Sequence, residues 1–136
     1  MIGNLLGSQA DRAYALLRIV SGVSFGFHGV QKMFNVLAEH ATQFGTQVWF
    51  GGLIELVCGA MIAIGFLTPW AAFLASGTMA VAYIQFHWKM QFGAAFFPAV
   101  NKGEPALIYC FLFLFMACKG AGPWSIDSLR TPPKQN

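Results

Sequence analysis

The chain has 136 residues, of which 57% are hydrophobic and 10% charged, against about a quarter charged in ordinary soluble domains, and its mean hydropathy is +0.58. Five acids and eight bases cannot cover the surface of a water-soluble globule, and a net charge of +3 makes no basic stripe for nucleic acid. Disorder, a collagen-like repeat and a disulfide scaffold are excluded as well, which leaves a single domain over residues 1–136 embedded in a membrane.

In chain order, the segment before Tyr14 lacks the basic start and small-residue cleavage site of a signal peptide, so none is expected. A spanning helix takes about 20 mostly apolar residues. Spans are predicted near residues 13–34, 48–67, 70–88 and 105–119, giving an all-α fold: an integral membrane four-helix bundle with antiparallel up-and-down spans. Arg18, Lys32 and Lys119 interrupt or end these segments and are expected to snorkel to the headgroups. Residues 35–47 read as a polar connector. Gly65-Phe66-Leu67-Thr68-Pro69 reads as a helix stop and restart, with glycine in the left-handed end position, Thr68 as cap and Pro69 in the next first turn. Gly93, Pro98 and Gly103 break any helix in the connector 91–104. Gly120-Ala121-Gly122-Pro123 ends the last span, and the tail 120–136 is expected to be mobile over residues 131–136. An even number of spans puts both termini on the side of Arg12, Arg18, Lys119, Arg130 and Lys134, opposite Lys32, Lys89 and Lys102. That excess predicts cytoplasmic termini.

Spans hold together through small and polar residues. Gly22, Gly26 and Gly29 share one face of the first. Gly51, Glu55, Gly59 and Ala63 recur at four-residue intervals in the second. A carboxylate in hydrocarbon normally faces inward with a partner. By the helical rise, Glu55 and His28 both fall about 9–10 Å from the non-cytoplasmic edge, and Tyr83 and Tyr109 about 6–8 Å. His87 stands one turn above Tyr83 on the same face. The expected site is a polar pocket in the outer leaflet. Glu55 and His28 are its candidate catalytic, proton-carrying residues; Tyr83, His87 and Tyr109 are candidate contacts for a quinone-like ligand. Imidazole exchanges protons near neutral pH, and phenols donate hydrogen bonds to a ring oxygen. The same Glu55–His28 pair can equally be structural glue between two helices.

The candidate ligands His28, Glu55 and His87 come from separate spans, with no H-x-x-x-H or E-x-x-H pattern, so no metal is expected. Cys58, Cys110 and Cys118 form no C-x-x-C pair, which argues against a thiol relay. Trp49, Trp70, Trp88 and Trp124 fall at span ends, where an aromatic belt belongs.

The ordered motifs Arg18, Gly22, His28-Gly29 and Lys32; Gly52, Glu55 and Gly59; Met79, Ala82, Tyr83 and His87; Phe97-Pro98, Asn101 and Gly103-Glu104; and the closing Gly120-Ala121-Gly122-Pro123-Trp124-Ser125-Ile126-Asp127 resemble the DoxX family of small membrane proteins. The resemblance runs from about Arg18 to Asp127. It implies a four-span protein of the inner membrane, a component or partner of membrane oxidoreductase systems, some of them quinone-linked. Three functions are weighed. One is a quinone-linked oxidoreductase component. The second is a noncatalytic subunit or assembly factor docking a larger complex. The third is a small transporter, which the confinement of ionisable groups to one leaflet disfavours. The implied partners are the lipid bilayer and a membrane protein or a second copy of the chain.

Overall fold

Apolar sequence with a break at each glycine- or proline-rich turn folds into helices alone. The computed structural model describes residues 2–130, and no strand occurs among them. A short helix α1 (Ile2–Gly7) precedes α2 (Ala10–Phe34), which Asn35 ends in the left-handed conformation. Thr46 caps α3 (Gln47–Ile64), its hydroxyl accepting from the Trp49 amide at 3.3 Å. Gly65 closes α3 at φ +69°, a conformation that costs glycine no Cβ clash. The next helix, α4 (Thr68–Ala82), carries Pro69 in its first turn and continues as a π-helical segment (Tyr83–Trp88). A 3₁₀ turn (Ala94–Phe96) and α5 (Pro98–Asn101) break the following connector, before α6 (Glu104–Lys119) and the short α7 (Ile126–Arg130). The expected mobile end, residues 131–136, and Lys134 with it, lie outside the described residues.

Among the described residues, two helices are long and apolar enough to cross a membrane. α2 and α3 meet that test by length and composition. Helix α4 has 15 residues before the π-helical segment adds 6, and α6 has 16, about 24 Å at 1.5 Å per residue.

Helix α2 packs on α3 with backbones in contact. A Cβ on Gly22 would lie 2.5 Å from the Ala63 amide nitrogen, and Cβ atoms on Gly29 or Gly59 would collide with the facing helix's backbone. The expected four-residue stripe on α3 divides. Gly59 and Ala63 face α2, whereas nothing lies within 4 Å of a Cβ at Gly51. Gly52 takes its place, lying against the Lys32 stem. Helix α4 packs closely on α6, where the Ser76 hydroxyl donates to the Cys110 carbonyl at 2.7 Å. Between α2 and α6, Phe25 meets Phe113 and Tyr109 at ring-centroid distances of 4.7 and 5.7 Å. The outward faces stay apolar: Val20, Phe73 and Phe111 are each more than half exposed.

Two expectations at the turn end of the bundle are corrected. Arg18 does not snorkel. It is fully buried, and its guanidinium donates to the Ile62 and Ala63 carbonyls at 2.8 and 2.7 Å and to those of Pro123 and Trp124 at 3.2 and 2.7 Å. The first two belong to the C-terminus of α3, the negative end of its dipole. Thr68 is not the cap of α4 either. The Asp127 carboxylate reaches back from the tail and accepts from the Leu67 and Thr68 amides at 2.9 and 3.0 Å.

Asp127 therefore ties the tail to the start of α4. Burial alone would raise its pKa, but the Thr68 and Leu67 amides, with the Thr68 side chain and the Arg130 charge, together outweigh it and hold the carboxyl below the ordinary carboxylate value. A depressed folded-state pKa contributes stability that is complete above the unfolded value, about 3.9, and is lost as pH falls through the folded one. Asp127→Ala is expected to cost about 1 kcal/mol at pH 7 and to flatten the decline in stability below pH ~4. Thermal unfolding in mild detergent at both pH values checks this; equal acid sensitivity in the variant and the parent would refute it.

Candidate functional site

The α3–α4 hairpin starts at a tight turn, yet α3 packs more closely on α2 than on α4. A cavity of about 610 Å³ opens between the hairpin arms, within the usual range for small-molecule sites. Its walls are mostly apolar, with Phe50, Ile54, Phe73 and Leu74 among them. Phe50, Phe73 and Leu74 are each more than half exposed, so the mouth opens sideways, among the residues on the outside of the bundle. Gly51 and Gly77 line it with no neighbour near their absent Cβ atoms.

Glu55 lies in this lining, 2% exposed. Its Oε1 accepts from the Lys32 ammonium at 2.5 Å, and its Oε2 has no hydrogen-bond partner. The expected imidazole partner is not the one found. His28 is exposed on α2. At 100° per residue it falls on the flank of the face that carries Gly22 and Gly29. Lys32, one turn further along, runs its stem over Gly52 and delivers its charge to Glu55. Its side chain is 34% exposed, so the pair joins a buried carboxylate to a partly exposed lysine.

The structure separates the remaining expected residues. His87 lines the cavity, with Nδ1 3.3 Å from the Asn101 carbonyl oxygen. Tyr83 instead takes part in holding the connector: the Asn101 amide donates to its hydroxyl at 3.4 Å and to the Ala95 carbonyl at 2.9 Å. Gly103 sits close against both Tyr83 and His87, where a Cβ would come within 2.7 Å of either side chain. Tyr109 stacks on Phe113 at 5.3 Å, away from the cavity lining. Glu55 and His87 are thus brought to one cavity, while His28, Tyr83 and Tyr109 are not part of its lining.

Three polar lining residues, Lys32, Gln47 and Thr78, are not among the expected site residues. Lys32 passed for a helix-end base. Thr78 donates its hydroxyl to the Leu74 carbonyl of its own helix at 2.9 Å, and Gln47 donates to the Gln85 side chain at 2.5 Å across the hairpin arms. For Lys32 the available signal was Gly52, a residue without a side chain three positions before the buried acid.

Residues 13–88 match the DoxX family. That stretch covers Arg18, Lys32, Glu55 and His87, and ends at the π-helical segment. The chain is also 35% identical to an uncharacterized protein of Haemophilus influenzae over 118 residues, 84% of this chain and 87% of that one. No solved structure matches the chain. With the matched stretch taking in three of the packed helices, and apolar faces turned outward on all sides, the chain is a membrane protein of the DoxX family.

Proposed function

We propose that α2, α3, α4 with its π-helical continuation, and α6 all cross the inner membrane with both termini cytoplasmic, and that the chain is a component of a membrane oxidoreductase system. Its part is to hold a quinone-like ring in the cavity between α3 and α4. Shortness of α4 and α6 is met by their flanks: Lys89 and Lys102 stand beyond helix ends and Lys119 is the last residue of α6, where basic side chains reach the headgroups. The observation that carries the reading is one cavity with two characters. Exposed apolar residues form its mouth, and a Lys32–Glu55 ion pair lies in its wall. A ligand arriving from lipid would meet hydrocarbon first and charge last. Lys32 can donate to a ring oxygen, Glu55 can take or return a proton, and His87 stands toward the far end of the same lining. His28, off the cavity, has no contact with the ring in this arrangement.

The test uses Gly77→Phe, which fills the cavity from a position with open space beside it. Purified in mild detergent, the parent is expected to bind a short-tailed quinone, read as a rise in unfolding temperature and by equilibrium dialysis. The variant should lose affinity roughly tenfold or more, since a blocked pocket forfeits its apolar contacts. Unchanged affinity in a folded Gly77→Phe variant would refute the proposal.

A second reading has its own observation. Phe92, Phe96 and Phe97 stand 77%, 49% and 59% exposed on the connector before α6, an aromatic edge suited to a membrane protein partner. A noncatalytic subunit or assembly factor would lose that partner on Phe92→Ser/Phe97→Ser substitution and keep it in Gly77→Phe.

A further inference from the structure

The polar groups that line the cavity are Lys32, Gln47, Glu55, Thr78 and His87, and most of their donor hydrogens are already committed. Glu55 as a carboxylate only accepts; Lys32 serves Oε1, and Oε2 is buried with no partner. The Asn101 backbone oxygen facing His87 Nδ1 at 3.3 Å can only accept. That contact calls for a hydrogen on Nδ1, and in that tautomer Nε2 accepts. The Thr78 hydroxyl spends its hydrogen on Leu74 and keeps its lone pairs. Gln47 has one amide hydrogen on Gln85. Glu55 lies ten residues before Gly65 and Thr78 ten after Thr68, so both stand about 15 Å from the hairpin turn, at one depth.

We infer that the cavity selects a lipid-soluble molecule bearing hydroxyl donors, taking the dihydroxy form of a quinone-like ring in preference to the dione; this rests on the quinone-class reading above. A hydroxyl gives its hydrogen to Glu55 Oε2 and offers its oxygen to Lys32. A carbonyl or ether oxygen can only accept, and leaves the buried carboxylate oxygen unmet, which is costly for a charged acceptor. A cationic ligand is disfavoured because Lys32 already neutralises Glu55.

The experiment compares three compounds with one ring and one short isoprenoid tail: the hydroquinone, the quinone and the hydroquinone dimethyl ether. Binding to the full chain in mild detergent is measured without oxygen, by equilibrium dialysis. The hydroquinone is expected to bind roughly tenfold or more tightly than either other form. The preference should shrink toward unity in Glu55→Gln/Lys32→Met, which keeps the shape and removes the charged acceptor, and should weaken in Thr78→Val. Equal affinities in the parent, or a preference unaltered in both variants, would overturn the hydroxyl selection while leaving the quinone reading standing. Absence of binding by all three, or binding that Gly77→Phe does not reduce, would overturn the quinone reading itself.

Discussion

Arg18→Met is expected to destabilise the protein by about 3–5 kcal/mol, the largest loss of any single polar substitution in the chain. The guanidinium is fully buried and donates to carbonyls of four residues, from the end of α3 and from the tail. Hydrogen bonds from a charged donor are worth more than neutral ones, and breaking a buried charge network leaves its partners exposed to an apolar surrounding. Methionine fills a similar volume but satisfies none of the carbonyls. Lysine keeps the charge but cannot reach two groups of acceptors with a fork, so Arg18→Lys should also lose more than half of the effect. Reversible unfolding in detergent measures the loss. Limited proteolysis gives an independent readout, since freeing Pro123 and Trp124 should hasten cleavage after Lys119. A variant within about 0.5 kcal/mol of the parent, with an unchanged cleavage rate, would show that the clamp holds nothing.

The clamp also marks where the sequence stopped being legible. Helices expected near 13–34, 48–67, 70–88 and 105–119 lie close to those found, because apolar runs ended by glycine and proline leave few other solutions. The hairpin turn at Gly65 and the first-turn positions of Pro69 and Pro105 follow from local chemistry in the same way. Arg18 was different. Its position a few residues inside a helix end is compatible with a side chain that reaches the headgroups or one that turns inward, and only the tail decides between them. That tail is more than a hundred residues away in sequence. Asp127 as the cap of α4 depends on the same long-range return.

The candidate site was legible in its anchor and obscure in its partners. An acid within an apolar helix has to turn inward, and Glu55 does. Depth along the helices, however, says nothing of rotation about them. His28 and Lys32 differ by one turn on α2, and the deciding feature is a glycine on the facing helix that lets the longer side chain pass. Depth likewise put Tyr109 near Glu55, while its ring is committed to Phe113 and Phe25. Tyr83 is placed by the Asn101 connector, whose course no helical periodicity foretells.

Gly59→Ala is expected to cost about 3 kcal/mol, whereas Gly26→Ala, its neighbour across the same seam, should change stability by less than about 0.5 kcal/mol. The two glycines face each other, so composition and helix propensity do not separate them. Geometry does. A Cβ on Gly59 would run into the backbone of Gly26 and the carbonyl of Gly22, and backbone cannot step aside as a side chain can; a Cβ on Gly26 would sit at ordinary contact, 3.7 Å from the Gly59 Cα. Gly59→Ala must therefore push α3 off α2 along the seam, and the Arg18 and Lys32 contacts to α3 would be drawn apart with it. Gly51→Ala and Gly77→Ala, which open on the cavity, serve as controls for the general effect of alanine in these helices. Unfolding of each single variant in one detergent ranks them. Equal losses at Gly26 and Gly59 would mean that the α2–α3 seam is looser than its geometry requires, and the Lys32–Glu55 alignment that depends on the seam would fall with it.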